Sequence, residues 1–490
     1  MTLHVQRDQA RDWCQTGPMA RQVNAVTERL RRSKVNSPVD RRRDIERPPG
    51  PRAADLPYRF ATSGDICGYF VAVEREYEQI AHTRMLRDHL YILNDPEFVV
   101  EFFLNHSRGN MKGRALQGAK AVLGTGLLTS DGDFHLRQRR LVQPAFHRDR
   151  VVSYAQTMAA ITQRHEQRWK EGATFDMVED MSALTLAIVG ETLFGADLTS
   201  DAAEMNTALT EVLTGSGARL MMGGGILRLP TPARRRSVES SATLDAIVQR
   251  MVDDHRRIGD TGDMLSMLIA AQEDGEGMSD EQVRDEAMTL VLAGHETTAM
   301  AMSWTWMLLA RNPQVAEWLH EELDSELAGR APGFEDLGAL PRTHAVIAES
   351  MRMYPPAWSM GRRVLKDLTL GKWLVPRGAM VLSSQYALQR SPRWWDSPLA
   401  FRPRRWIGAD GAFSETNPGQ PRGAWFPFGW GNRRCIGEQF AWTEAQLILA
   451  TLAQRWEPQL QQGHAVEPQP AVTLRPKGGL PVTLRRRSGG

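Results

Sequence analysis

The stretch Phe428-Gly-Trp-Gly-Asn-Arg-Arg-Cys-Ile-Gly437 decides how this chain reads. Cys435 stands where a loop gives way to residues 438–456, whose apolar side chains recur at helical spacing. A thiolate so placed faces the positive end of a helix dipole and can accept backbone N–H bonds, and both effects lower its pKa. Gly431 and Gly437 let the backbone approach a flat ligand closely, and Phe428 can keep water off the sulfur. Taken alone, Cys435 reads more simply as an inert thiol in a Gly-rich turn. The full pattern Phe-x-x-Gly-x-Arg-x-Cys-x-Gly reverses that balance, toward an axial thiolate on a haem iron with Arg433 within reach of a propionate.

This pattern resembles the haem-binding signature of the cytochrome P450 family, and the resemblance runs from about Pro48 to Leu484. It implies a mainly α fold with a small β region: a helical prism enclosing haem b (iron protoporphyrin IX), with minor β-sheets at one corner.

Composition is compatible with that size of body. The chain has 490 residues, 42% of them hydrophobic and 24% charged, so a large core is feasible. A net charge of +2 gives no reason to expect nucleic-acid binding. Cys14, Cys67 and Cys435 are too few and too scattered for a disulfide framework or a CxxC-type zinc site, which suits a reducing, cytoplasmic setting. Residues 1–47 are polar and Arg-rich, with no apolar signal or anchor run, and read as a flexible basic extension. Pro48-Pro49-Gly50-Pro51 then stiffens the way into a single domain, residues 48–490. Residues 288–310 are apolar and long enough to cross a bilayer, but Gly294-His-Glu-Thr-Thr298 lies near their centre, where an ionisable group is costly in lipid. A buried core helix explains them better, and no integral membrane anchor is expected.

Helical spacing is clear over residues 133–142, 151–170, 177–193 and 242–257. Residues 279–310 open with Ser279-x-x-Gln282, a capping-box pattern, and stop before Pro313. Strand-like runs are short and late: 380–383 after the Pro376-Arg-Gly378 turn, and 471–474.

Ala293-Gly-His-Glu-Thr-Thr298 is a poor choice for a helix interior if stability alone matters. A threonine hydroxyl there can bond back to the carbonyl one turn earlier, bending the helix and opening a polar notch. Glu296, beside Thr297, could then relay protons through water. The segment matches the family's Ala-Gly-x-acid-Thr motif, whose threonine steadies the oxygen being activated and whose acid helps deliver protons. Glu349 and Arg352 share one helical face at i and i+3. An exposed pair of that kind is worth only about 0.3–0.5 kcal/mol. The resemblance implies instead a buried network completed by Arg405, from Phe401-Arg-Pro-Arg-Arg-Trp406, which supports the haem loop. His135 and Arg139 lie i, i+4 on one helix face and resemble the family's Trp-or-His-x-x-x-Arg propionate pair. Arg362 matches a further propionate arginine, with Arg363 leaving the register open by one.

The resemblance implies a haem-thiolate monooxygenase that inserts one atom of dioxygen into a C–H bond or double bond of a largely apolar small molecule. Fatty acids, terpenoids and polyketides all remain open. Electrons would come from a separate ferredoxin or flavodoxin with its reductase, docking on an Arg-rich face near Arg139, Arg433 and Arg434. A monomer is expected. The alternative is a peroxide-driven oxygenase or an isomerase that needs no redox partner. The intact Glu296-Thr297 pair argues against it.

Overall fold

The computed structural model describes residues 46–55, 65–85, 88–198, 201, 204–205, 207–208, 211, 232–273 and 276–487. Most of the basic extension falls outside the described residues, as does the Met221-Met222-Gly223-Gly224-Gly225 run. The centre of the fold is the helix Asp280–Arg311. It starts where the sequence places it: Ser279 Oγ accepts from the Gln282 amide, and Gln282 Oε1 accepts from the Ser279 amide. Those two bonds satisfy donors that a helix start would otherwise leave open.

Met177–Phe194, Pro341–Met353, Pro232–Ile258 and Glu438–Leu452 are among the helices that pack around this one. Gly294 has a packing reason. A β-carbon there would lie 3.0 Å from Val189 Cγ2, so the helix Met177–Phe194 makes a close approach at that point. Trp304 and Trp306 are fully buried; Trp304 stacks on Tyr354 at 4.1 Å, and Trp306 meets Trp169 edge-on at 6.2 Å. Burying an apolar side chain of this class contributes about 1.5–3 kcal/mol. The long apolar helix is therefore the core, as its length and central polar residues suggested. Among the described residues no helix is long and apolar enough to cross a membrane.

The helices read from periodicity appear as Gly132–Val142, Arg148–Glu166, Met177–Phe194 and Pro232–Ile258. The last helix stops earlier than its apolar run, at Leu452, and Trp456–Leu460 is a strand. That strand pairs with Pro481–Arg486, which also pairs with Thr174–Asp176. A five-stranded sheet runs in the order Ile80–Met85, Asp88–Leu93, Met380–Ser383, Met360–Val364, Asn110–Lys112. The 380–383 strand is as read. The 471–474 run is not a strand but a hairpin corner: Pro468–Pro470 pairs with Leu474–Pro476, and the Ala471 amide bonds the Thr473 carbonyl across the turn. Alternation in so short a run cannot separate a strand from the turn beside it.

Candidate haem-thiolate site

Cys435 is carried on a tight turn. Its amide donates to the Phe428 carbonyl at 2.8 Å, and the Arg434 amide donates to the Gly431 carbonyl at 3.1 Å. Gly429 and Gly431 adopt φ of 75° and 70°, in the left-handed region that favours glycine. A β-carbon on Gly431 would sit 2.6 Å from the Phe103 carbonyl oxygen, in the π-helical turn Glu101–Asn105. Gly431 is thus required by the protein's own backbone. At Gly437 a β-carbon would meet only the Phe146 ring, at an ordinary 3.5 Å, so the protein's own atoms do not demand glycine there. Gly431→Ala should destabilise the protein by about 1–3 kcal/mol through strained φ, with more from the contact. A urea midpoint unchanged from the parent would contradict this.

Phe428 is half-buried and packs on Trp442, ring centroids 5.6 Å apart. Cys435 is exposed at the edge of a cavity of about 480 Å³ lined also by Phe146, His344, Ile436 and Trp442, and is otherwise surrounded by protein. The electrostatics differ from the reading of the sequence. Burial pushes the Cys435 thiol up to about 11, outweighing the Gly437 amide and the nearby Arg139 and Arg434 that favour the thiolate. Desolvation wins over the local positive field. A thiolate here calls for a cation directly against it, which is what a metal supplies.

A second group of residues gathers around Arg433 of the thiolate turn. The register of the strands sets Lys112 directly opposite Arg362. Arg433 donates from Nη2 to Asp131 at 2.7 Å and from Nη1 to the Ser130 carbonyl at 3.1 Å. Asp131 also accepts from the Lys112 amide and from Gln117 Nε2. Lys112 Nζ donates to the Leu127 carbonyl. His135 is buried, with Nδ1 3.3 Å from Ser130 Oγ. The group is short of negative charge. Burial, then Arg433, holds the Lys112 amine down to about 6 and the Arg362 guanidinium to about 10. Burial, then Lys112, holds His135 down to about 3. Arg433 Nε and His135 Nε2 are buried without partners. Surplus cations and unpaired donors fit two carboxylates, so the residues present suit a haem.

The structure settles which strand residue joins this group. It is Arg362, whose guanidinium also lies 5.8 Å from the Phe103 ring. Arg139 takes a different place from His135: its Nη1 donates to the Arg434 carbonyl at 2.8 Å, behind the thiolate turn. Arg433 is an interior residue, its side chain 7% exposed, and cannot form part of a docking face. Lys112 and Asp131 were missed by sequence reasoning. So was the latch that positions them: Thr125 and Leu127 amides donate to Asp285 and Glu286 on the long helix, at 2.6 and 2.8 Å. The signal was present, as two adjacent acids just before an apolar helical run.

On the long helix, Thr297 Oγ1 donates to the Ala293 carbonyl at 2.7 Å, the back-bond expected from sequence. The helix nevertheless runs unbroken from Asp280 to Arg311. Ala293 is exposed and Thr297 half-buried although Val291, Leu292, Glu296 and Ala299 are all buried, so this face opens onto space. Glu296 points elsewhere. Its carboxylate accepts from Thr473 Oγ1 at 2.7 Å and from Arg475 Nε and Nη2 at 2.8 and 2.9 Å. Glu296 and Thr297 therefore hold different partners.

Glu349 and Arg352 are fully buried and bidentate, with both N···O distances 2.9 Å. Arg405 Nε adds a bond to Glu349 at 3.1 Å, as read from sequence. Trp406 Nε1 and the Arg402 amide, both at 3.0 Å, were not foreseen. The Trp406 ring lies 4.7 Å from Trp425, next to the start of the thiolate turn.

Comparison with known proteins agrees with this geometry. The family model described as Cytochrome P450 matches residues 56–481. Cyclooctatin synthase of Streptomyces melanosporofaciens is 39% identical over 391 residues, covering 79% of this chain and 84% of that protein. Cyclooctat-9-en-7-ol 5-monooxygenase of the same organism is 37% identical, covering 83% and 86%. Pentalenene oxygenase of Streptomyces avermitilis is 32% identical, covering 82% and 88%. The family match spans the thiolate turn and the long helix, and the chain belongs to the cytochrome P450 family, as an oxidoreductase of the haem-dependent monooxygenase kind.

Proposed function

We propose that this chain oxygenates a largely apolar, polycyclic terpenoid, using haem b and electrons from a separate ferredoxin or flavodoxin. The reaction is carried by one observation: within the buried middle of the long helix, the turn at Ala293 opens to space and presents the Thr297 hydroxyl bonded to Ala293. The terpenoid class is supported by three relatives, two of them named for an alcohol and a hydrocarbon. Bound haem would supply the activation of dioxygen. Cys435 would hold the iron, while Arg362, Arg433, Lys112 and His135 would bind the propionates. Thr297 would hold a water and its proton at the open face, and the apolar wall of the long helix would keep other water out.

Electron delivery fits the opposite side of the turn. The cavity beside Cys435 is lined by the apolar Phe146, Phe334, Leu337 and Trp442 and by the polar Glu438, Gln439 and Gln446; Arg148 lies over its Phe334 at 5.7 Å, and Arg434 pairs with its Glu438. Arg434 and Arg148, with the half-buried Arg139, replace Arg433 in a surface for an acidic donor. Exposed large apolar residues among those described, such as Ile258 and Leu399, are scattered along the chain, which supports a monomer. We take residues 48–490 as one haem domain working in the cytoplasm.

Thr297→Ala should divert electrons from product to peroxide or water, lowering product per electron about tenfold or more. Supplying cyclic terpene hydrocarbons and alcohols with a surrogate ferredoxin system under ¹⁸O₂ tests the whole reading. One labelled oxygen per product is the result expected. Turnover with peroxide alone, and none with the ferredoxin system, would favour the partner-independent alternative.

A further inference from the structure

Glu286 is an unfavourable residue for the place it occupies. It is fully buried on the long helix, and burial pushes its carboxyl up to about 7, against the Leu127 amide and Gln138 that favour the charged form. An acid so placed costs stability that an apolar side chain would not. What it holds is Leu127. The Leu127 amide donates to Glu286 Oε2 at 2.8 Å, and the carbonyl of the same residue accepts from Lys112 Nζ. Leu127 sits in a tight turn, in which the Thr129 and Ser130 amides both donate to the Gly126 carbonyl, at 3.0 and 2.9 Å. That turn ends on Ser130 and Asp131, the partners of Arg433. It lies flat on the long helix: a β-carbon on Gly126 would be 2.3 Å from Thr289 Oγ1 and 2.5 Å from the Asp285 carbonyl oxygen. Glu286 Oε1 accepts from Gln138 Nε2 at 3.1 Å, on the helix Gly132–Val142 that also carries His135. The bonds of neighbouring Asp285 run instead to the Thr125 amide and to Arg284.

We propose that Glu286 is a positioning residue for the acid groups of the haem: through Leu127 it sets where the Lys112 amine is held, and so how firmly the cofactor is retained. This rests on the propionate-binding role given above to Lys112. A lysine amine has three N–H donors and no acceptor. Fixing one of them on the Leu127 carbonyl fixes the directions in which the other two meet a carboxylate. Leu127 in turn is anchored by its amide on the long helix, the same helix that bears Thr297. The acid side of the haem and the open face at Thr297 are thereby referred to one rigid element.

The test is the rate of haem loss from the full haem-loaded chain to an excess of a haem-scavenging globin, with the urea midpoint recorded beside it. Glu286→Met keeps the volume and removes the acceptor, Glu286→Gln keeps an acceptor for the Leu127 amide, and Asp285→Asn perturbs the same turn away from Lys112. Each is measured with and without Lys112→Met. Lys112→Met alone should speed haem loss by roughly tenfold or more, the worth of a hydrogen bond to a charged group. Glu286→Met alone should speed it by about 10–100-fold, as for outer-shell partners of a metal ligand, and Glu286→Gln should restore most of the retention. With Lys112→Met already present, Glu286→Met should add less than about threefold, whereas Asp285→Asn should act by the same factor in both backgrounds. If Glu286→Met is too unstable to hold haem, Glu286→Asp, which keeps the charge and shortens the reach to Leu127, is read in the same way. An effect of Glu286 that multiplies in full onto Lys112→Met makes it merely structural and overturns the positioning role alone. Unchanged haem loss in Lys112→Met overturns the propionate reading of Lys112 and this proposal together.

Discussion

Cys435→Ser is expected to remain folded while losing oxygenase activity by at least about a hundredfold, the upper end for merely outer-shell partners of a metal ligand. The fold should survive because Cys435 contributes its backbone amide to the turn, and that bond to Phe428 does not involve the sulfur. Activity should not survive. A hydroxyl is a far weaker donor of electron density to iron than a thiolate, and that density is what favours oxygen–oxygen cleavage. Circular dichroism and turnover measured together separate the two effects. A serine variant keeping even a tenth of parental turnover would remove Cys435 from the mechanism.

Glu349→Gln should cost about 3–5 kcal/mol of stability, the price of leaving a buried charge uncompensated. Glu349 accepts five hydrogen bonds, from Arg352 Nε and Nη2, Arg405 Nε, Trp406 Nε1 and the Arg402 amide. An amide of the same shape keeps the volume, removes the charge, and opposes one N–H₂ to a donor. Arg352 retains carbonyl partners at Gln389, Pro398 and Ala400, which limits the loss without balancing the charge. Because Trp406 lies against Trp425, haem retention should fall with stability. A urea midpoint within about 1 kcal/mol of the parent would mean that Glu349–Arg352 behaves like an exposed pair.

What was legible in the sequence was local or strongly periodic. Ser279 and Gln282 declare a helix start because both bonds of the capping box lie within four residues. The 380–383 strand follows a Pro-x-Gly turn, and the Glu349–Arg352 pair is one helical turn long. Illegible features depend on chain segments far apart. Arg475 meets Glu296 from 179 residues away, and no spacing rule connects them. Lys112 joins the cationic group only because its strand pairs with the one bearing Arg362. Gly431 was read as serving the cofactor, but its nearest obstacle is the Phe103 carbonyl of a distant turn. The sign of the Cys435 shift was misread for a related reason. A helix terminus and neighbouring amides can be inferred from sequence, whereas the extent of desolvation is set by everything that packs around the loop.

Thiolate ligation of haem iron by Cys435 is the claim on which the rest stands, and the reduced CO-bound minus reduced difference spectrum of the purified protein tests it most directly. The account predicts a strongly red-shifted Soret band, the signature of a thiolate opposite CO, and its loss in Cys435→Ser. A parent protein that binds no haem, or that shows the band position of histidine ligation, would contradict it.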